Sequence, residues 1–400
     1  MSLTQAPSGE RLHIGFFGKR NAGKSSLMNA ITGQAHSVVS DVPGTTTDPV
    51  KKSMELLPIG PVLLTDTPGF DDVGILGSLR VEKTEQILSS TDIAILVTDS
   101  TQPADGDEKK FIETVKGKGL PYIIVHNKSD LLEKIPEITD NEIWVSASEN
   151  INITKLKEKI ASISKTASSN RRIVSDMLTP GDKVILVTPI DSSAPKGRLI
   201  LPQQQTIRDI LDNHCTAIVC QPEELSDMLN SLTAPPKMII TDSQAFGKVS
   251  KLVPGNIPLT SFSILFARYK GDLETLVKGA SMLSKLGEGD KILISEGCTH
   301  HRQCGDIGTV KLPAWIKSFC GADIEFGFTS GGEFPKDLSP YKLVVHCGGC
   351  MLNEAEMKHR ITTSTNAGIP IVNYGVAIAH MNGILKRSLE IFPQVAEMLE

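Results

Sequence analysis

An apolar strand, Leu12 to Phe17, runs into Gly18-Lys19-Arg20-Asn21-Ala22-Gly23-Lys24-Ser25, which matches GxxxxGK(S/T) and opens a helical pattern, Ser25 to Thr32. Nothing else in the chain restricts its fold as much. A phosphate-binding loop needs a strand to feed it and a helix N-terminus to leave it, and both are present in that order. The glycines let backbone N–H groups close around phosphates, the helix start favours negative charge, Lys24 reaches the β and γ oxygens, and the Ser25 hydroxyl ligates Mg2+. Gly18, Asn21, Ala22, Gly23, Lys24, Ser25 and Ser26 are therefore the expected phosphate contacts.

Three further signals follow strands. Asp66-Thr67-Pro68-Gly69 comes after Val62 to Leu64, placing a carboxylate where it can hold the metal through water and a Gly69 N–H where it can sense the γ phosphate. Asn127-Lys128-Ser129-Asp130 follows Tyr122 to Val125, and Asp130 can accept two hydrogen bonds from guanine N1 and N2, a pattern adenine does not offer. Ser146-Ala147-Ser148 supplies a backbone donor for the guanine O6. The expected ligand is GTP, and the expected activity its hydrolysis to GDP and phosphate.

These motifs resemble the translation-factor-like GTPases, especially the Era and TrmE branch, whose loop also reads NAGKSS. The resemblance implies a first switch at Thr45-Thr46-Thr47-Asp48, with Thr46, or else Thr45, ligating Mg2+. Phe70 stands where Ras-like enzymes carry the Gln that positions water. In the resembled branch, K+ held partly by the loop Asn, here Asn21, supplies charge instead, and an acidic residue three after the Gly orients water. Asp72 occupies that place, although a solvated surface carboxylate is the simpler reading of it. Lys24, Thr46 and Asp72 are thus the expected catalytic set.

Strand and helix signals alternate almost to the end of the chain, which favours parallel sheets. The expected class is α/β: a P-loop GTPase domain over 1–168, followed by two smaller α/β domains with mainly parallel sheets, over 173–265 and 266–400. The small, polar, then basic stretch Ser164 to Arg172 suits a linker between the first two. Forty-one Lys and Arg against 46 Asp and Glu, with 4% aromatic residues, disfavour a nucleic-acid partner. No apolar run nears the ~18 residues of a membrane span, and Met1 to Arg11 lack a signal peptide's apolar stretch, so no membrane partner and a cytoplasmic address are expected.

Seven cysteines in a chain of this kind suggest metal, cluster or plain buried thiols rather than a disulfide framework. Cys298-Thr299-His300 lies just past the strand Lys291 to Ser295, and His346-Cys347-Gly348-Gly349-Cys350 begins at the end of Leu343 to Val345. In a parallel sheet both groups emerge on the C-terminal edge and can converge. Three thiolates with nearby imidazoles fit a tetrahedral zinc or an iron-sulfur cluster with one non-Cys corner. Cys215, Cys220 and Cys320 sit in or beside apolar segments and read as core residues. His301 and Cys304 lie in the loop after Cys298 without falling on the motif.

Cys-x-His followed by His-Cys-x-x-Cys, behind an Era-like G domain, resembles the HydF family, the GTPase maturation scaffolds of FeFe hydrogenases. The central stretches Pro180 to Asp191, Ala194 to Pro202 and Ile207 to Asp209 also look like that family's dimer-forming domain. The resemblance implies a homodimer with a 4Fe-4S cluster on Cys298, Cys347 and Cys350, and His300 or His346 as fourth ligand or nearby support. It further implies a transient two-iron precursor, delivered to apo FeFe hydrogenase in concert with radical-SAM maturation enzymes. Two rival readings are an RNA-associated Era/TrmE-like GTPase with a structural zinc module, and a redox enzyme, the latter lacking any flavin or dinucleotide fingerprint.

Overall fold

The computed structural model describes residues 8–33, 49–69, 83–167, 172–190, 199–297, 306–349 and 351–399. The chain divides into two compact units, Met1–Asn170 and Arg171–Glu400. In the first, strands β1 (Leu12–Phe17), β2 (Val50–Leu56), β3 (Gly60–Asp66), β4 (Ile93–Asp99), β5 (Tyr122–Asn127) and β6 (Glu142–Trp144) form one sheet in the order β2-β3-β1-β4-β5-β6. All neighbours are parallel except β2 and β3, which form an antiparallel pair. The four inner strands read as near-continuous apolar runs because helices cover both faces. Helices α1 (Lys24–Thr32), α2 (83–89), α3 (Gly106–Gly117) and α4 (Ile153–Ala167) do so. Ile14, Phe16, Leu64, Ile95 and Val125 are fully buried between them, each contributing about 1.5–3 kcal/mol.

Register fixes where the motifs surface. Phe16 pairs with Asp66, Phe17 with Leu96 and Asp99 with Asn127, so the P-loop, the Asp66 segment and the Asn127 turn leave the same edge of the sheet. Asp105 starts α3 by accepting from the N–H groups of Asp107 and Glu108, while Glu108 reaches back to the Asp105 N–H.

The second unit holds two four-stranded, wholly parallel sheets. One runs β10-β9-β7-β8, from β7 (Lys183–Val187), β8 (Thr216–Cys220), β9 (Met238–Thr241) and β10 (Leu259–Ser261). The other runs β12-β11-β13-β14, from β11 (Lys291–Ser295), β12 (Glu325–Thr329), β13 (Leu343–His346) and β14 (Ile371–Asn373). Helices α5 (Leu201–Asp212), α6 (Leu225–Ser231) and α7 (Phe246–Val249) link the first set; α9 (Leu273–Ala280), α10 (Leu312–Cys320), α11 (Glu354–Asn366) and α12 (Tyr374–Met381) serve the second. Between them α8 (Phe262–Lys270) starts at Ser261, whose side chain accepts from the Ile264 N–H. The boundary expected between 265 and 266 falls inside this helix. The two sheets are tied further by Thr260 Oγ1 donating to Ser388 O at 2.8 Å and by Arg268 pairing with Asp176 while lying 5.2 Å from the Phe392 ring. No helix among the described residues is long and apolar enough to cross a membrane.

Candidate functional site

The P-loop is shaped by close backbone approach. A Cβ at Gly18 would lie 2.2 Å from Val97 O on β4, and one at Gly23, where φ is 90°, would lie 2.2 Å from Asn127 Nδ2. Only glycine fits either place. Asn21, at φ 59°, turns the tip of the loop and is exposed; asparagine is one of the few side chains that tolerates this region. Lys24 is buried, and its Nζ donates to Gly18 O at 2.9 Å and Lys19 O at 2.6 Å, curling the ammonium over the loop's own carbonyls. Lys19 in turn pairs with Asp105 at the start of α3.

Asn127 brings three motifs together. Its Nδ2 donates to Ala22 O at 3.0 Å, and its Oδ1 accepts the Ala147 N–H at 3.1 Å. One side chain therefore joins the P-loop, the Asn-Lys-Ser-Asp turn and the Ser146-Ala147 turn. It also engages the Ala147 amide, one of the donors that the sequence offers to a guanine oxygen. Lys128, at φ 64°, ion-pairs with Asp99 at 2.6 Å. Asp130 is exposed at the short turn Ser129–Leu131, free of the core and facing solvent, as a carboxylate for an incoming base must be. Ser146 is fully buried, and its Oγ lies 3.0 Å from Ser148 Oγ and accepts the Glu149 N–H.

Asp66 is buried at the end of β3, and the Ser25 hydroxyl donates to its Oδ2. Its Oδ1 has no hydrogen-bond partner among the described residues. Burial raises its pKa, opposed by the Ser25 hydrogen bond and by the charges of Lys24 and Lys52. A buried carboxylate with an unpartnered oxygen, bonded to a hydroxyl at a helix start, is a donor set suited to Mg2+, which would offset that desolvation. Gly69 ends this described segment; Thr46 and Asp72 lie outside the described residues.

At the C-terminal edge of the last sheet, β13 ends in His346 and the Cys347 N–H continues the ladder to Ser295 O at 3.0 Å. Cys347 Sγ accepts the Gly297 N–H at 3.0 Å and the Gly349 N–H at 3.4 Å. Two amides aimed at one sulfur stabilise a thiolate more than a thiol. Gly349 has φ 64°, and a Cβ there would meet Met357 Sδ at 2.6 Å, so this turn requires glycine. His346 is buried; its Nδ1 donates to Cys347 O at 2.6 Å, leaving Nε2 as the acceptor nitrogen, which has no partner among the described residues. Burial, reinforced by the charge of Arg360 and opposed by the Cys347 carbonyl, pushes its pKa down to about 4. Neutral imidazole with a bare Nε2 is the form that ligates metals.

Cys298, His300, His301, Cys304 and Cys350 lie outside the described residues. Gly297, which immediately precedes Cys298 in sequence, donates its N–H to Cys347 Sγ. Among the described residues, no group of three or more His, Cys, Asp or Glu side chains is gathered to hold a metal. Cys347 and His346, with the two amides on sulfur, nevertheless fit thiolate coordination of iron or zinc. Cys215 and Cys220 are buried in the cores around β8, and Cys320 closes α10 with its Sγ 3.3 Å from Leu283 O.

Sequence reading missed the buried support behind this edge. Arg360 on α11 is wholly buried, with Nε on Glu356 Oε1 at 3.0 Å, Nη1 on Ser295 Oγ at 2.8 Å, Nη2 on Gly331 O at 2.6 Å, and its guanidinium 5.3 Å from the Phe334 ring. Its only signal in sequence is a basic residue four after Glu356, which normally reads as a solvated helix pair.

A mainly parallel sheet whose glycine loop, buried aspartate and asparagine turn share one edge defines a P-loop GTPase domain, here followed by two further α/β modules. Residues 13–128 match the model described as 50S ribosome-binding GTPase. Residues 173–271 match the hydrogen maturase F dimerization domain and 274–391 its tetramerization domain. The chain belongs to the hydrogen maturase F (HydF) family, with an N-terminal G domain. Its G domain is similar to GTPase Der of Wolinella succinogenes, 35% identical over 192 residues, covering 44% of this chain and 40% of that one. It is also similar to the tRNA modification GTPase MnmE of Streptococcus agalactiae, 33% identical over 157 residues, covering 38% of this chain and 34% of that one. The chain thus spans two fifths or less of the length of these curated relatives. A solved structure of Aquifex aeolicus Era is 16% identical, covers 80% of this chain and 93% of that one, and aligns with a TM-score of 0.35.

Proposed function

We propose that this protein is a GTP-hydrolysing scaffold of FeFe-hydrogenase maturation, self-associating through its second unit, that binds a 4Fe-4S cluster and passes a two-iron precursor to apo hydrogenase. Radical-SAM maturation enzymes are its proposed upstream partners and the cytoplasm its proposed address. The observation that carries the reading is the pairing, in one HydF-family chain, of a guanine-nucleotide edge, its motifs joined by Asn127, with a Cys347 sulfur already held by two amides.

In the G domain the proposed roles are as follows. The loop amides from Gly18 to Ser26 bind the β phosphate, and Lys24 leaves its own loop carbonyls for the β and γ oxygens. Ser25 and Asp66 hold Mg2+, directly and through water, with Thr46 as the proposed switch ligand. Asp130 reads guanine, while Asn127, Lys128, Ser146 and Ala147 shape its pocket. Asn21 is proposed to help hold K+, whose charge substitutes for an arginine finger, with Asp72 as the water-orienting acid. In the second unit, Cys298, Cys347 and Cys350 are the proposed thiolate ligands, and His346 or His300 occupies or supports the fourth corner. The cluster, when bound, supplies a site at which a second metal unit can be attached and released.

Two measurements test the reading together. Anaerobically reconstituted protein should be brown with broad absorption near ~400 nm, where a zinc protein is colourless. GTP should be hydrolysed far better than ATP, and Asp130→Asn should lose GTP while gaining xanthosine triphosphate, whose C2 oxygen suits an amide donor. Colourless protein, or equal use of ATP, would defeat the cluster or the nucleotide assignment respectively.

A further inference from the structure

α8 belongs to both halves of the second unit. Phe262, Leu265 and Phe266 pack in the core of the β7–β10 sheet, whereas Ile264 and Ala267 pack in the core of the β11–β14 sheet. Such a helix transmits displacement of one module to the other, because close-packed cores do not absorb it. Its last residue is Lys270, only 4% exposed, where an ammonium is tolerable only if its hydrogens find acceptors.

Those acceptors are in the cysteine turn. Lys270 Nζ donates to Gly349 O at 3.2 Å and to Leu352 O at 3.0 Å. The two carbonyls bracket Cys350 in sequence, and Gly349 also gives its N–H to Cys347 Sγ. One glycine thus uses its amide on the first sulfur of the Cys-x-x-Cys turn and its carbonyl on a buried cation from another module. A neutral side chain of equal length would fill the same space but leave both carbonyls without this donor.

We infer that Lys270 is a positioning residue for the cysteine turn and a fixed positive charge on the turn's own carbonyls, so that the central module's helix sets both the shape and the electrostatics of the cluster site. The inference rests on the cluster reading above and extends it. Reduction adds one negative charge to a cluster already surrounded by thiolates, and a nearby buried ammonium, poorly screened by water, favours that reduced form. Removal of the charge therefore lowers the reduction potential, an effect that a merely space-filling role would not have.

The test compares wild type, K270M and K270R as full chains. Apo protein is examined by amide hydrogen exchange over residues 346–352, and anaerobically reconstituted protein by a redox titration followed by electron paramagnetic resonance. K270M should retain iron, show a more negative potential, and exchange faster in the turn by about tenfold or more, with the remainder of the second unit unchanged. K270R, which keeps the charge, should stay close to wild type in potential. Equality of K270M and wild type in both potential and exchange would overturn the inference, as would K270R shifting as far as K270M. Should K270M not fold, K270Q supplies the neutral side chain and is judged by the same outcomes. Wild type that binds no iron would defeat the cluster reading, while exchange in the turn would still decide whether Lys270 positions it.

Discussion

The nucleotide edge and the cysteine edge occupy the same kind of place, the C-terminal side of a parallel sheet, yet they are built from opposite directions. At the nucleotide edge the motif residues hold one another: Asn127 bonds Ala22 and Ala147, Lys24 bonds Gly18 and Lys19, Ser25 bonds Asp66. At the cysteine edge His346 and Gly349 also bond Cys347, but the turn is held in addition from behind by residues without a motif: Gly297 and Lys270 directly, and Arg360 through Ser295. Charge explains the difference. A nucleotide brings its own negative charge, so the loop needs only amides and a lysine facing it. A thiolate site makes the protein supply the anions, and its fold must then bring donors and cations up behind them.

If the two edges are independent, damage to one should spare the other. Cys347→Ser should produce the largest effect, loss of most bound iron after reconstitution, since a hard, basic alkoxide replaces a thiolate that already has two amides aimed at it. GTP turnover in that variant should stay within about twofold of wild type, and hydrogenase maturation should fail. Full iron and full maturation in the variant would remove both the site and the function. Lys24→Ala should do the converse, cutting GTP turnover by roughly 10²–10³ while iron content is unchanged. Iron lost from the Lys24 variant would show that the edges are not independent.

The contrast also explains what could be read from sequence. The nucleotide edge was legible because its parts are short contiguous strings whose chemistry is local, and the inner strands announce themselves as apolar runs. Asn127 was legible as part of a motif, but its bridging of Ala22 and Ala147 was not, because register between distant strands decides it. β2 was missed because Val50–Leu56 carries Lys51, Lys52 and Glu55 on a half-exposed edge strand. α8 was missed because Leu259 to Phe266 (LTSFSILF) is strand for three residues and helix after Ser261, too short on either side of the change for a period to show. Lys270 and Arg360 look in sequence like ordinary solvated cations, and only tertiary packing reveals them as buried.

Beyond Lys24, the sequence motifs assign no arginine finger to the charge growing between the β and γ phosphates, and Phe70 stands where a water-positioning glutamine would be. If Asn21, exposed at the loop tip, helps hold a monovalent ion as proposed, K+ should raise turnover over Na+ by one to two orders of magnitude, roughly 1.4–2.7 kcal/mol of transition-state stabilisation. Steady-state rates in the two salts at equal ionic strength check this. Identical rates would hand the role to a residue from a partner protein and make this edge, too, dependent on outside support.

The smallest effect concerns Asp66, a group at the nucleotide edge that resembles the cysteine edge in being a buried anion supplied by the protein. Burial raises its pKa above the unfolded value, so its contribution to stability is full below the unfolded carboxyl pKa and is lost as pH rises through the raised folded one. Near neutral pH the metal-free protein therefore carries a poorly solvated carboxylate whose Oδ1 has no partner among the described residues. Asp66→Asn removes that charge and should leave metal-free protein as stable as wild type or more so, by on the order of 1 kcal/mol, while abolishing the extra stability that Mg2+ with GDP gives wild type. Thermal unfolding from about pH 4 to about pH 8, with and without Mg2+ and GDP, measures both terms. A variant that is less stable without metal and still responds to Mg2+ would mean that Asp66 serves the fold through its bond to Ser25 rather than the metal.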